Sequence, residues 1–188
     1  MLRIIGGTAK GKKINFPAGS KERPTSDFLK ENIFNILGSL EDKNFLDLFA
    51  GSGSVGLEAA SRHAREVYFV EKNKRLADIL RKNISACGQN DRCYVMVAET
   101  EKALRSLLKR GLKFDILFAD PPYNRNLVGA TLTGLNHDTI MAKDGMLVVQ
   151  HSIKEDFDHA MDHLEMTDQR KYGDNALTFF KWRENNAR

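Results

Sequence analysis

Between Asn44 and Val149 the chain alternates two kinds of segment, and that alternation limits the fold more than any other feature. Short apolar runs fall at Phe45–Phe49, Val67–Val70, Tyr94–Val97, Phe114–Ala119 and Met146–Val149. Between them lie amphipathic stretches at 54–63, 73–86, 99–109 and 127–142. The clearest is 73–86, with Leu76, Ile79, Leu80 and Ile84 on one helical face. A run that is apolar on both faces of a strand must be covered on both sides, so the pattern predicts a doubly wound, mostly parallel α/β sheet. The end of the chain changes character. Glu165–Tyr172 and Ala176–Trp182 flank Gly173-Asp174-Asn175, which reads as an antiparallel hairpin. Upstream, residues 2–16 read as a hairpin turning at 6–11, and 17–25 as a loop. A helix is expected from Ser26 to Leu40, with Leu29, Ile33, Ile36, Leu37 and Leu40 as its stripe. The expected organisation is a small N-terminal hairpin and helix over 1–43 and a main domain over 44–188.

The bulk properties fit that reading. At 188 residues, 41% hydrophobic and 29% charged, the chain can bury a core without disulfide or metal staples. It is too apolar for disorder. It has no apolar run long enough to span a membrane, and its basic N-terminus lacks the apolar core of a signal peptide. Cys87 and Cys93 have no metal-ligand or redox spacing and read as reduced thiols of a cytoplasmic protein. The charge is uneven. Residues 1–30 hold seven basic and two acidic residues, a net of +5, against +4 for the whole chain. Such a segment beside a neutral body suits a polyanionic partner.

Ligands of open α/β sheets bind outside the carboxyl ends of the strands. The first run ends Leu46-Asp47-Leu48-Phe49-Ala50-Gly51-Ser52-Gly53-Ser54-Val55-Gly56, a glycine-rich turn into a helix. Glu71 ends the next run, 20 residues after Gly51, where a carboxylate can accept from ribose hydroxyls. Asp47 argues against a dinucleotide, because an acid beside the loop repels a pyrophosphate. It suits a cationic nucleoside carrying an ammonium and a sulfonium, as S-adenosyl-L-methionine does. Glu99, just past the third run, is placed to accept from an adenine amino group.

The fourth run leads into Asp120-Pro121-Pro122-Tyr123. Two prolines stiffen this turn and remove two N–H donors. What remains is a rigid pair of acceptors, the Asp120 carboxylate and the Pro121 carbonyl, beside an aromatic ring. This suits an exocyclic amine on a flat base, with Tyr123 stacking it.

Together the glycine loop and the Asp-Pro-Pro-Tyr turn resemble those of class I S-adenosyl-L-methionine-dependent amino methyltransferases. Arg3-Ile4-Ile5-Gly6-Gly7, Arg23-Pro24-Thr25, Glu31-Asn32-Ile33-Phe34-Asn35 and Gly56-Leu57-Glu58-Ala59 make the chain similar to the RsmD family. Those enzymes methylate the exocyclic N2 of a guanine in small-subunit ribosomal RNA. The resemblance implies a Rossmann-like domain. It implies cofactor contacts from Asp47, Phe49, Ala50, Gly51, Ser52, Gly53, Glu71, Lys72, Ala98, Glu99 and Asp120, and target-base contacts from Asp120, Pro121, Pro122 and Tyr123. Asp120 agrees with the guanine-N2 branch, since adenine and glutamine N-methyltransferases usually have Asn there. Glu99 stands where the family more often has Asp, Gln150 where Glu is expected, and Phe28 and Leu29 where basic residues are frequent.

The expected chemistry is one in-line methyl transfer to a flipped guanine, without a metal. Arg3, Lys10, Lys12, Lys13, Arg23 and Thr25 are expected to hold RNA of the small ribosomal subunit or its assembly intermediate, with the protein acting as a monomer. Asn124, Arg125 and Asn126 form a polar loop that could lie over the base. His151 reads as a surface histidine and Trp182 as packing. His63, His137, His159 and His163 form no ligand set. The competing readings are an adenine-N6 or protein-amide methyltransferase, a nicotinamide-dependent oxidoreductase, and a non-catalytic RNA-binding module.

Overall fold

Apolar strands and helices alternate along the chain as the sequence pattern requires. The computed structural model describes residues 2–17, 25–122, 127–137, 140–155, 157 and 161–183. It divides into two compact units, Met1–Glu99 and Thr100–Arg188.

In the first unit three parallel strands, β1 (Asn44–Asp47), β2 (Glu66–Glu71) and β3 (Cys93–Val97), lie in the order β3-β2-β1. Phe45, Leu46, Val67 and Phe69 on β1 and β2 are fully buried, each contributing roughly 1.5–3 kcal/mol. Helix α1 (Asp27–Leu37) is capped by the Ser26 side chain, which accepts from Leu29 N–H. It stops at Leu37, short of the expected Leu40, where Gly38 takes over. Helix α3 (Lys74–Cys87) is capped by Asn73 and buries Leu76, Leu80 and Ile84 of its expected face, with Ile79 half-buried.

Helix α2 (Ser54–Ser61) differs: all eight of its residues are buried. One of them is Glu58, fully buried, and a buried charge needs partners. Its Oε2 accepts from the N–H of Ile5 at 2.8 Å, and its Oε1 from Arg62 Nε at 2.8 Å. The Arg62 guanidinium in turn lies over the Phe34 ring, 5.0 Å from its centroid. At the other end of α2, Ser61 Oγ donates to the Gly6 carbonyl and accepts from Ala9 N–H. These groups clamp the N-terminal segment, whose expected hairpin is present as a narrow ladder around the Arg3–Lys13 bridge.

In the second unit β4 (Phe114–Ala119) runs parallel to β5 (Met141–Ser152). Antiparallel β7 (Asn175–Trp182) and β6 (Leu164–Tyr172) follow, in the order β4-β5-β7-β6. Helices α4 (Thr100–Lys109) and α5 (Leu127–His137) belong to the same unit. The terminal hairpin is as expected, tightened to the two-residue turn Gly173-Asp174. One boundary differs. The helical stretch expected over 127–142 ends at His137, and β5 starts at Met141, five residues early. The pairing slips between Phe114↔Met141 and Ile116↔Met146, so this strand carries a bulge that breaks its apolar run. Gly145 sits in the bulge, where a Cβ would come within 2.9 Å of the Ala142 carbonyl oxygen and 3.1 Å of that of Phe114. Trp182 stacks on His163, with ring centroids 5.1 Å apart. Among the described residues no helix is long and apolar enough to cross a membrane.

Because the Glu58 carboxylate is the buried partner of both a backbone N–H and a guanidinium, Glu58→Ala leaves both without it. The expected loss is about 3 kcal/mol of unfolding free energy, measured by urea denaturation. A loss below about 1 kcal/mol would show that the N-terminal clamp contributes little to stability.

Candidate active site

The loop from β1 into α2 is held by two carboxylates at the ends of β1 and β2. Asp47 is 2% exposed, and its Oδ2 accepts from Gly56 N–H at 3.1 Å. Glu71, 9% exposed, accepts from Gly51 N–H at 2.8 Å through Oε2 and from Asn73 N–H at 2.7 Å through Oε1. A carboxylate oxygen can accept more than one hydrogen bond, so holding the loop and taking a ligand hydroxyl are compatible tasks for Glu71. Main-chain bonds complete the turn: Ala50 N–H to the Val70 carbonyl and Gly53 N–H to the Ala50 carbonyl. Gly53 must be glycine twice over. Its φ is +87°, and a Cβ there would lie 2.3 Å from Leu80 Cδ1. Ala50, Ser52 and Gly53 are buried, Phe49 and Gly51 half-buried.

Asp47 is electrostatically unusual. Its Oδ1 is buried with no hydrogen-bond partner. Burial drives its pKa up, against the pull of the Gly56 and Phe49 amides and with a further push from Glu71, to about 7. A positive charge nearby would favour the ionised form of this carboxylate. A pyrophosphate would not.

Lys72 and Glu99 pair across the ends of β2 and β3, with Nζ 3.9 Å from Oε2, both largely exposed. Ala98, half-buried, donates its N–H to the Glu71 carbonyl. Asp47, the glycine loop, Glu71, Lys72, Ala98 and Glu99 thus all lie at the carboxyl ends of the three parallel strands of the first unit.

In the second unit the carboxyl end of β4 carries Asp120, half-buried, and Pro121, buried. The register Ala119↔Val149 sets Asp120 beside Gln150 of β5, whose side chain is also buried. Past β5, both carboxylate oxygens of Glu155 are buried without a hydrogen-bond partner. His151 is a correction. Instead of lying on the surface it is 3% exposed. Its Nδ1 faces the Ser152 carbonyl at 2.9 Å, so Nδ1 carries the proton. Its Nε2 then accepts from Thr178 Oγ1 at 2.8 Å. Pairing with β7 buries the ring, which meets Phe157 edge-on.

The residues expected to meet RNA separate. Lys10, Lys12 and Lys13 are exposed. Arg3 is exposed but paired to Asp27 at 3.0 Å, and Thr25 is buried. Phe28 stands 63% exposed. Lys30, counted among the basic residues of this segment, is fully buried. Its Nζ donates to the Arg3 carbonyl and lies 3.3 Å from Asp27 Oδ1. Arg23, Tyr123, Asn124, Arg125, Asn126 and His159 lie outside the described residues. Burial pushes the Cys93 thiol up to about 12, which keeps it protonated. Among the described residues no group of three or more His, Cys, Asp or Glu side chains could hold a metal ion.

Comparison with known proteins places this geometry. The family model described as "Conserved hypothetical protein 95" matches residues 2–181. The Ribosomal RNA small subunit methyltransferase D of Escherichia coli (strain K12) is 32% identical over 154 residues, 81% of this chain and 76% of its own length. The chain belongs to this family. YlbH of Bacillus subtilis (strain 168), another relative, is 33% identical over 183 residues, 97% of this chain and 100% of its own length. Among solved structures, protein TTHA0928 of Thermus thermophilus matches with a TM-score of 0.82 at 31% identity, over 95% of this chain and 98% of its own. An RNA methyltransferase of Salinibacter ruber, solved with S-adenosyl-L-homocysteine, has a TM-score of 0.68 at 15% identity and covers 87% of this chain and 95% of its own. That likeness is one of fold. The family therefore has a Rossmann-like α/β fold ending in antiparallel strands, as described above.

Asp47 gives this site a pH signature. Its pKa is about 7 in the folded protein against an ordinary value of 3.8, so between those values the folded protein holds a proton that the unfolded chain has lost. Stability from this group is therefore full below about pH 4 and is lost as pH rises through 7. Asp47→Asn removes the slope and places an amide at the orphaned oxygen. Ligand-free Asp47→Asn should melt several degrees above the parent at pH 8, and the gap should shrink toward pH 5. Parallel melting-temperature profiles would show that Asp47 is already ionised across this range.

Proposed function

We propose that this protein is an S-adenosyl-L-methionine-dependent methyltransferase acting on the exocyclic N2 of a guanine in small-subunit ribosomal RNA. The observation that carries the reading is the end of β4. There a half-buried acid is followed by a buried proline and a second proline, in a family that includes a ribosomal RNA small subunit methyltransferase.

S-adenosyl-L-methionine supplies an electrophilic methyl group on a sulfonium. The chain offers what such a molecule needs. When it is bound, the Asp47 carboxylate would offset its positive charge, Glu71 would accept from its ribose hydroxyls and Glu99 from its adenine amino group, and the main chain of Phe49–Gly53 would hold it. The Asp120 carboxylate and the Pro121 carbonyl accept the hydrogens of the target amine. An arylamine donates its lone pair to the ring, and two acceptors on its hydrogens return density to nitrogen and fix its direction. Positioning of this kind supplies most of the acceleration. Once nitrogen bonds to the methyl carbon and the carbon–sulfur bond breaks, the amine carries one proton too many, and Asp120 accepts it. Tyr123 stacks the base.

The exposed Lys10, Lys12 and Lys13, with Arg3 and Arg23, hold the RNA backbone. The protein works as a monomer in the cytoplasm on the small ribosomal subunit or an assembly intermediate, and the mechanism gives a metal no role. This segment, residues 1–43, is the RNA-facing extension of a methyltransferase domain over 44–188.

The test is a transfer assay. Small subunits from cells lacking the modification, incubated with protein and labelled S-adenosyl-L-methionine, should carry label in N2-methylguanosine after digestion to nucleosides. Unlabelled subunits and unlabelled deproteinised RNA would overturn the substrate. Asp120→Ala should lower kcat by about 100-fold or more while S-adenosyl-L-homocysteine still binds. Near-normal turnover would remove Asp120 from its role. RNA affinity should fall steeply with salt, each lost phosphate contact reducing the slope of log K against log salt by about one. Affinity that ignores ionic strength would sink the basic grip.

A further inference from the structure

Beyond the carboxylates, one neutral side chain reaches both the glycine loop and the N-terminal segment. Asn83, on α3, is fully buried. Its Nδ2 donates to the Ser52 carbonyl at 2.9 Å and to the Asn15 carbonyl at 2.9 Å. Its Oδ1 accepts from Asn15 N–H at 2.9 Å. Both hydrogens of the amide are used, one on each segment. All three partners are main-chain atoms, so the contact sets the path of the backbone whatever side chains the two segments carry. Asn15 lies two residues after Lys13. Ser52 lies between Gly51 and Gly53. One turn earlier on α3, Leu80 fills the space beside Gly53, so the helix supports this loop at two successive turns.

We propose that Asn83 is a positioning residue that couples the basic N-terminal segment to the cofactor loop. With Asn15 seated, one hydrogen and the oxygen of the carboxamide are engaged and its plane is fixed. The second hydrogen then points at the Ser52 carbonyl and holds the loop in its binding shape. If the segment moves, the amide loses two partners and is free to rotate, and the loop loses its brace. By linkage the reverse holds equally: a ligand that orders the loop favours the seated segment. The identity of the two ligands, S-adenosyl-L-methionine on the loop and RNA on the segment, rests on the function proposed above. The hydrogen bonds do not.

A merely structural asparagine would change stability alone, so the test reads coupling. Two variants serve. Asn83→Ala removes the whole bridge. Asn15→Pro removes the N–H that Oδ1 accepts, fixes φ at residue 15 and leaves every side-chain atom of Asn83 in place. For each, the dissociation constant of S-adenosyl-L-homocysteine is measured by calorimetry with and without a ribosomal RNA fragment, and KM for S-adenosyl-L-methionine is compared with kcat. RNA should tighten binding to the wild type on the order of fivefold, and in both variants that ratio should fall to about one. KM should rise by a similar factor, with kcat at saturating cofactor within about twofold of wild type.

A folded variant that keeps the wild-type ratio and KM overturns the proposal, as does a wild-type ratio of one. If Asn83→Ala does not fold, Asn15→Pro decides. If no RNA binds the wild type, the substrate reading fails separately. Weaker binding of S-adenosyl-L-homocysteine by Asn15→Pro alone then supports the bridge, and unchanged binding refutes it. A wild type that binds no S-adenosyl-L-homocysteine overturns both.

Discussion

Two acids at the ends of neighbouring parallel strands hold the turn on which everything else in the first unit depends. Asp47 takes the amide of Gly56 and Glu71 that of Gly51, so the loop between β1 and α2 is pinned near both of its ends. Glycine lets the chain make this turn, but the carboxylates decide which turn it makes. They do so at a cost. Both sit where water is scarce, and their mutual repulsion raises the pKa of Asp47 further. A site that binds a cation can carry such a cost, because the ligand supplies the charge the fold withholds.

The main lines of the fold are legible in the sequence because they depend on patterns that repeat locally. Continuous apolar runs suit strands covered on both faces, as β1, β2 and β4 are, although β3 leaves Tyr94 and Val97 exposed, and the 73–86 stripe suits a helix lying on them. The failures fall where the pattern is interrupted by a long-range fit. The bulge around Gly145 puts Lys143 and Asp144 inside β5, so in sequence the strand looks four residues long and the helix before it too extended. His151 looks like a surface group because nothing near it in sequence announces Thr178, its partner 27 residues later.

The candidate site divides in the same way. Asp47, the glycine loop, Glu71 and Asp120-Pro121 are contiguous motifs whose chemistry can be named residue by residue. Glu58 and Asn83 are as deeply placed, yet nothing in the sequence marks them for the roles they have. Each takes a backbone N–H from far along the chain, 53 residues away for Glu58 and 68 for Asn83, and a backbone N–H has no signature in a sequence. Charge misleads for the same reason. Lys30 counts toward a polyanion-binding surface in the sequence, but its ammonium is buried against the Arg3 carbonyl and Asp27.

That buried lysine changes what the N-terminal charge can do. Arg3 pairs with Asp27 at the surface, an interaction of small worth that a phosphate could displace. Lys10, Lys12 and Lys13 remain exposed on the turn and return strand of the hairpin. Of the polar groups that fix this hairpin, Glu58 and Ser61 on α2 and Asn83 on α3 belong to the two helices that follow β1 and β2. A polyanion gripping the lysines would therefore pull on the same helices that support the glycine loop. In this arrangement the basic segment is joined to the glycine loop through Asn83, which bonds the main chain of both Asn15 and Ser52.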